Sequence, residues 1–176
     1  PVREVLFHKD GHLDEYAAKL LLKDYGEALF PGIGTARDNF SDHPPMLSDE
    51  VYDRDGVLPL GCGGGRFNEH RSNQERSDRL EGECTATLVA RYLGIEKRPD
   101  LQPILAEVLR CDTEEGTAPT ELAELLKVMG RQTTHPSIIM EWVQVGLRAI
   151  IRQSNYNYSG AVGELTLLEI FERLKV

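Results

Sequence analysis

The sequence predicts an α/β fold: a small, largely parallel sheet flanked by helices, followed by a mostly helical second half. Three observations carry this expectation. Short apolar runs at Val2 to Phe7 and Val57 to Leu60 read as buried strands. The first run leads into Leu13, Tyr16, Ala17, Leu20 and Leu21 at helical spacing, with Gly26 as a stop. From about Glu83 onward, apolar residues recur with helical period almost to the end.

In chain order, the strand at Val2 to Phe7 is followed by the helix from Leu13. Ala28 to Ile33 is a weaker strand candidate, and Thr35 to Asp55, polar and broken by Pro44-Pro45, reads as irregular surface structure. Val57 to Leu60 is the next strand. Leu88, Val89, Tyr92 and Leu93 mark a helix ended by Gly94, and Leu101, Ile104, Leu105, Val108 and Leu109 mark another. Leu122, Leu125, Leu126 and Met129 mark a third, with Pro119 near its start and Gly130 after its end. Pro136 opens a long apolar helix through Trp142, Leu147 and Ile151, and Leu165, Leu168 and Phe171 mark a last one.

At 176 residues, 40% hydrophobic and 28% charged, the chain suits one core. Residues 1–176 are therefore expected to form a single domain. The chain opens at Pro1 without a methionine, which suggests processing or a piece of a longer protein. No apolar run is long enough to span a bilayer. Cys62, Cys84 and Cys111 are odd in number and lack a C-x-x-C pair, which favours free thiols and a reducing compartment, with the cytoplasm as the default. A net charge of −9 and no basic run argue against gripping duplex nucleic acid. A phosphorylated small molecule or a short nucleic-acid end fits better, and part of the acidic excess could be metal ligands whose charge a cation offsets.

The richest stretch is Phe7-His8-Lys9-Asp10-Gly11-His12-Leu13-Asp14-Glu15, at a predicted strand's carboxyl end, where open α/β sheets bind ligands. Its imidazoles and carboxylates suit a hard or borderline divalent metal such as Mn²⁺; equally, Asp14 and Glu15 could simply complement a helix dipole. A second strand end carries Gly61-Cys62-Gly63-Gly64-Gly65-Arg66-Phe67-Asn68-Glu69-His70-Arg71. The backbone of Gly63, Gly64 and Gly65 can form an anion nest, and Arg66 and Arg71 can fork onto a phosphate. The alternative is a glycine turn with solvated charges. Asp112 falls on the apolar stripe of its helix, at the carboxyl end where the dipole disfavours a negative charge. It needs a cation, a hydrogen-bond network or a metal, unless the helix frays before it. Cys62, His70 and Cys84 follow no structural zinc spacing, so core packing is the expectation for the cysteines. His43 and His135 read as surface or capping residues.

Taken in order, these pieces resemble the DHH phosphoesterase superfamily, and most of all its melanocyte-proliferating-gene branch of metal-dependent exonucleases. His8, His12 and Asp14 hold the spacing of the first motif, and His12-Leu13-Asp14-Glu15 resembles that branch's own strand-exit motif. Gly61 to His70 is similar to the glycine-rich stretch leading into the Asp-His-His signature, with Asn68-Glu69-His70-Arg71 in its place, and Asp112 resembles the fourth-motif aspartate. The likeness spans about the first two thirds of the chain. It departs at Gly61, where the second-motif aspartate is expected, and at Asn68 and Glu69; Glu69, Asp55 or Asp38 could be recruited instead. The superfamily's second, substrate-binding domain is absent from this chain or lies outside it.

The resemblance implies a Mn²⁺- or Mg²⁺-dependent phosphoesterase acting on a nucleotide or an oligonucleotide end. His8, His12, Asp14, His70 and Asp112 would hold metal, Glu15 or Glu69 would activate water, and Gly63, Gly64, Gly65, Arg66 and Arg71 would bind phosphate. The competing expectation, suggested by Gly61, is a non-catalytic metal- or nucleotide-binding sensor or assembly subunit that keeps the fold. No membrane partner is expected, and an oligomer is open.

Overall fold

The computed structural model describes residues 1–70, 80–113, 122–132 and 135–158. Within them lie three strands and six helices, in the order β1 (Glu4–His8), α1 (Leu13–Tyr25), β2 (Arg37–Ser41), α2 (Asp49–Asp55), β3 (Val57–Pro59), α3 (Thr85–Tyr92), α4 (Gln102–Thr113), α5 (Leu122–Arg131) and α6 (Pro136–Tyr158). The sheet order is β2-β1-β3 and both pairings are parallel, with Val5 opposite Asp38 and Leu58. The α/β class and the helical second half are as the sequence predicts. No helix among the described residues is long and apolar enough to cross a membrane.

β1 is central, and its Val5, Leu6 and Phe7 are buried, as a strand covered on both faces requires. β2 lies inside the segment expected to be irregular, and Ala28 to Ile33 forms turns instead of the expected strand. The reason is visible in β2's side chains. It is an edge strand of sequence RDNFS, without apolar alternation. Polar pairs bind it instead: Arg37 and Asn39 both donate to the Glu4 carboxylate, at 2.7 and 2.8 Å, and Phe40 stacks on Phe7 at 5.1 Å between centroids. α2 is also an addition to the sequence expectation. Only Tyr52 of its residues is buried, too sparse a stripe for periodicity to register. Its ends nevertheless carry helix signals, with Ser48 at the N-cap, Asp49 and Glu50 in the first turn, and Gly56 left-handed at φ 64° as the C-cap.

α1 is more than the amphipathic surface helix its spacing suggests. Every residue from Leu13 to Leu22 is buried, because α3, α4, α5 and α6 all pack around it. Tyr16, Leu20, Leu21 and Leu22 are among the largest fully buried side chains, each worth roughly 1.5–3 kcal/mol of burial. Lys19 is enclosed too, and its Nζ is held by Asp38 at 3.2 Å and the Ile33 carbonyl at 3.4 Å. α5 runs through Gly130 to Arg131 instead of stopping before it. On α6, Ile139, Val143, Leu147 and Ile151 face the core, whereas Trp142 lies on the outer side. His135 accepts the Ser137 N–H ahead of that helix, in keeping with a capping role. Pro119 and the helix expected around Leu165 to Phe171 lie outside the described residues.

The loop from Ile95 to Asp100 is fastened through charge. Asp100 is buried and receives a forked hydrogen bond from Arg98, at 3.1 and 2.8 Å, and Arg98 also lies 4.9 Å over the Tyr25 ring. The Arg98 hydrogen bond, aided by its charge and by Asn155 of α6, holds the Asp100 carboxyl below its usual 3.8 despite the opposing cost of burial. A carboxyl lowered by folding adds stability above its unfolded pKa, and that stability is lost as pH falls through the lower, folded value. Asp100→Asn should therefore flatten the acid limb of the stability curve below about pH 4. Acid titration of the melting temperature checks this; parallel acid limbs in the two proteins would rule it out.

Candidate metal centre

The carboxyl ends of β1 and β3 open onto the first turn of α1. His8 closes β1, His12 is the N-cap of α1, and Asp14 and Glu15 occupy its first turn, where the positive end of the helix dipole favours carboxylates. Asp112, in the last turn of α4, reaches the same place because α4 packs on α1. One ligand atom from each of His12, Asp14 and Asp112 lies within 4.8 Å of the others. Of the five residues expected to hold metal, the fold thus brings these three into one cluster among the described residues. His8 flanks it, with its ring centroid 6.0 Å from that of His12. Its Nδ1 is hydrogen-bonded to Glu15 Oε1 at 2.8 Å. His70 Nε2 lies 3.4 Å from Glu69 Oε1.

The carboxylates are deeply placed. Asp14, Glu15 and Glu69 are 2%, 1% and 4% exposed, which for ionised groups requires compensation. Asp14 Oδ2 accepts the Thr85 N–H at 3.2 Å, at the start of α3, so two helix N-termini converge on this carboxylate. Its Oδ1 is buried without a hydrogen-bond partner, as is Glu15 Oε2. Burial pushes the Glu15 carboxyl up to about 8, reinforced by Asp14 and Glu69 and opposed by His8. The hydrogen bond to Glu15 in turn raises His8. Desolvation lowers His12 although the residue as a whole is exposed, so its imidazole favours the neutral, metal-ligating form. An imidazole and two carboxylates, one with an unpartnered buried oxygen, suit Mn²⁺ or Mg²⁺.

Gly61 explains how Glu15 fits. Its φ is +64°, and a Cβ there would meet Thr85 Oγ1 at 2.8 Å and the Glu15 Cγ at 2.9 Å. The position where the resemblance implies an aspartate is thus bare, and the Glu15 side chain lies against it. Gly63 and Gly64 also have positive φ, but they pack against the Pro45 to Leu47 segment. The Gly63 carbonyl accepts from the Tyr52 hydroxyl and the Leu47 N–H, and Gly65 packs on Pro59. Arg66 pairs with Asp53 at 2.5 Å and with Asp49 at 3.4 Å, and its guanidinium lies 6.0 Å from the centroids of Phe30 and Tyr92. It is therefore engaged with α2, not with the cluster. Arg71 lies outside the described residues.

Cys62 and Cys84 are buried free thiols whose pKa values burial pushes up, Cys84 to about 11, so they behave as core side chains. Asp38 is taken by Lys19 and Asp55 by Arg54. Sequence reasoning missed Thr85. It is fully buried, and its Oγ1 donates to Glu69 Oε2 at 2.9 Å while its N–H serves Asp14. Its only sequence signal is a hydroxyl residue opening a helix. No protein-family model matches the chain, and neither does any curated protein or solved structure.

Proposed function

We propose that this chain is a Mn²⁺- or Mg²⁺-dependent phosphoesterase that hydrolyses a phosphate ester of a nucleotide or an oligonucleotide end, as its motif order resembles the DHH superfamily. The observation that carries the reading is the meeting of His12, Asp14 and Asp112, far apart in sequence, at the carboxyl edge of a parallel sheet. These three would hold the cation, with His8 and His70 beside it. When bound, such a cation lowers the pKa of a water and polarises a phosphoryl oxygen. Glu15, steadied by His8, and Glu69, steadied by Thr85, are the carboxylates that orient or deprotonate the attacking water. The Gly63 to Gly65 backbone, Arg66 and Arg71 would take the non-bridging oxygens, which for Arg66 means releasing Asp49 and Asp53. The net charge of −9 favours a small phosphorylated substrate over a duplex.

Gly61 favours a second reading, a non-catalytic metal- or nucleotide-binding subunit working in the cytoplasm, since that position brings no carboxylate of its own for another ion. A metal-supplemented screen against phosphomonoesters, cyclic dinucleotides and short oligonucleotides separates the two. Turnover that requires Mn²⁺ supports the enzyme; metal binding without turnover supports the binder. Asp112→Asn should lower Mn²⁺ affinity about as much as loss of Asp14, and the double variant should fall short of additivity because both residues serve one ion. Calorimetry that finds Mn²⁺ affinity unchanged in Asp112→Asn would remove the cluster from the argument.

A further inference from the structure

We infer that Thr85 is the positioning residue of this centre, a two-headed clamp that sets the orientation of both Asp14 and Glu69; the inference rests on the metal reading above. Thr85 is the first residue of α3 and is fully buried. Its two polar groups point to different elements. The backbone N–H donates to Asp14 Oδ2 of α1 at 3.2 Å, and the hydroxyl donates to Glu69 Oε2 of the glycine-rich loop at 2.9 Å.

The first bond decides which Asp14 oxygen remains available. With Oδ2 occupied, Oδ1 is the buried oxygen left without a partner, in the carboxylate that shares the cluster with His12 and Asp112. The second bond holds one Glu69 oxygen, while Oε1 faces His70 at 3.4 Å. Gly61 completes the arrangement, because a side chain there would collide with Thr85 Oγ1. One residue therefore ties the orientation of a metal carboxylate to that of the neighbouring carboxylate. Partners of ligating groups that fix orientation in this way typically matter about 10- to 100-fold in metal affinity.

The test compares Thr85→Ser and Thr85→Val in the full chain, reading Mn²⁺ affinity calorimetrically and melting temperature in chelator. Thr85→Ser keeps both bonds and should bind within about 2-fold of the parent. Thr85→Val keeps the N–H to Asp14 but loses the hydroxyl, freeing Glu69 and with it the proposed ligand His70 that Glu69 faces; it should lose about 10-fold or more. Parent-like Mn²⁺ affinity in Thr85→Val, or an equal loss in Thr85→Ser, overturns the clamp.

A metal-free measurement separates this idea from the metal reading. Unfolding of Thr85→Val, Glu69→Gln and the double variant should be non-additive in chelator, and additive shifts overturn the clamp even if Mn²⁺ binds. Should Thr85→Val not fold, amide exchange at Thr85 serves instead: Asp14→Ala should accelerate it, and unchanged exchange overturns the clamp. If the parent binds no Mn²⁺ but the coupling and the exchange effect are present, the metal reading fails and the clamp stands.

Discussion

Asp14→Asn should lower Mn²⁺ affinity by more than the roughly 100-fold that follows loss of a residue merely supporting a ligand, while the metal-free protein keeps or gains stability. Both halves of the expectation come from the same geometry. Asp14 is 2% exposed, has one oxygen with no hydrogen bond, and lies with Glu15, Glu69 and Asp112 around it. Folding without a cation thus places a buried, half-partnered carboxylate among other carboxyl groups, a cost that functional sites commonly retain against stability. Asparagine has the same shape, its side-chain oxygen can still accept the Thr85 N–H, and it removes the charge. Calorimetric Mn²⁺ titration paired with thermal melting in chelator measures both effects. Unchanged affinity would dismiss the site, and a large loss of metal-free stability would make Asp14 a structural residue.

The largest stability effect is expected at Gly61. Alanine there places a Cβ in the left-handed region, which costs about 1–2 kcal/mol. That Cβ also meets Thr85 Oγ1 and the Glu15 side chain, both under 3.0 Å and both buried, and such overpacking adds about 1–3 kcal/mol. Gly61→Ala should therefore destabilise by about 2–5 kcal/mol, read as a lower denaturant midpoint at unchanged slope. A loss under about 0.5 kcal/mol, the range of ordinary surface substitutions, would show that Glu15 and Thr85 move aside easily. The same crowding gives a physical reason why this chain has no carboxylate at position 61: the Glu15 side chain already lies there.

Elements with a strong apolar stripe were legible in the sequence, and those held by other means were not. β1, α1 and the helices from α3 to α6 announce themselves through runs and periodicity, because their stability comes from burying one sort of side chain. β2 is held by ladder hydrogen bonds to β1 and by Arg37 and Asn39 on Glu4, none of which leaves a periodic trace. α2 has capping signals and a single buried tyrosine, and the neighbouring Pro44-Pro45 outweighs them. Arg66 shows what local spacing does not reveal. Its type and its place after three glycines suit phosphate, yet Asp49 and Asp53 of the unforeseen helix are its partners.

Residue order alone sets out the chemistry on offer: imidazoles and carboxylates at strand ends, and a carboxylate on the inner stripe of a later helix. These follow from local spacing, since the period of a helix or strand decides which face a residue joins. Which of them meet is settled by packing. Packing of α4 on α1 brings Asp112 to His12 and Asp14, the N-terminus of α3 delivers Thr85 to Asp14 and Glu69, and the bare backbone of Gly61 leaves room for Glu15. Distances of a few ångströms between elements depend on how whole side-chain surfaces interlock, and that information is spread over every buried residue of α1 rather than written in any one motif.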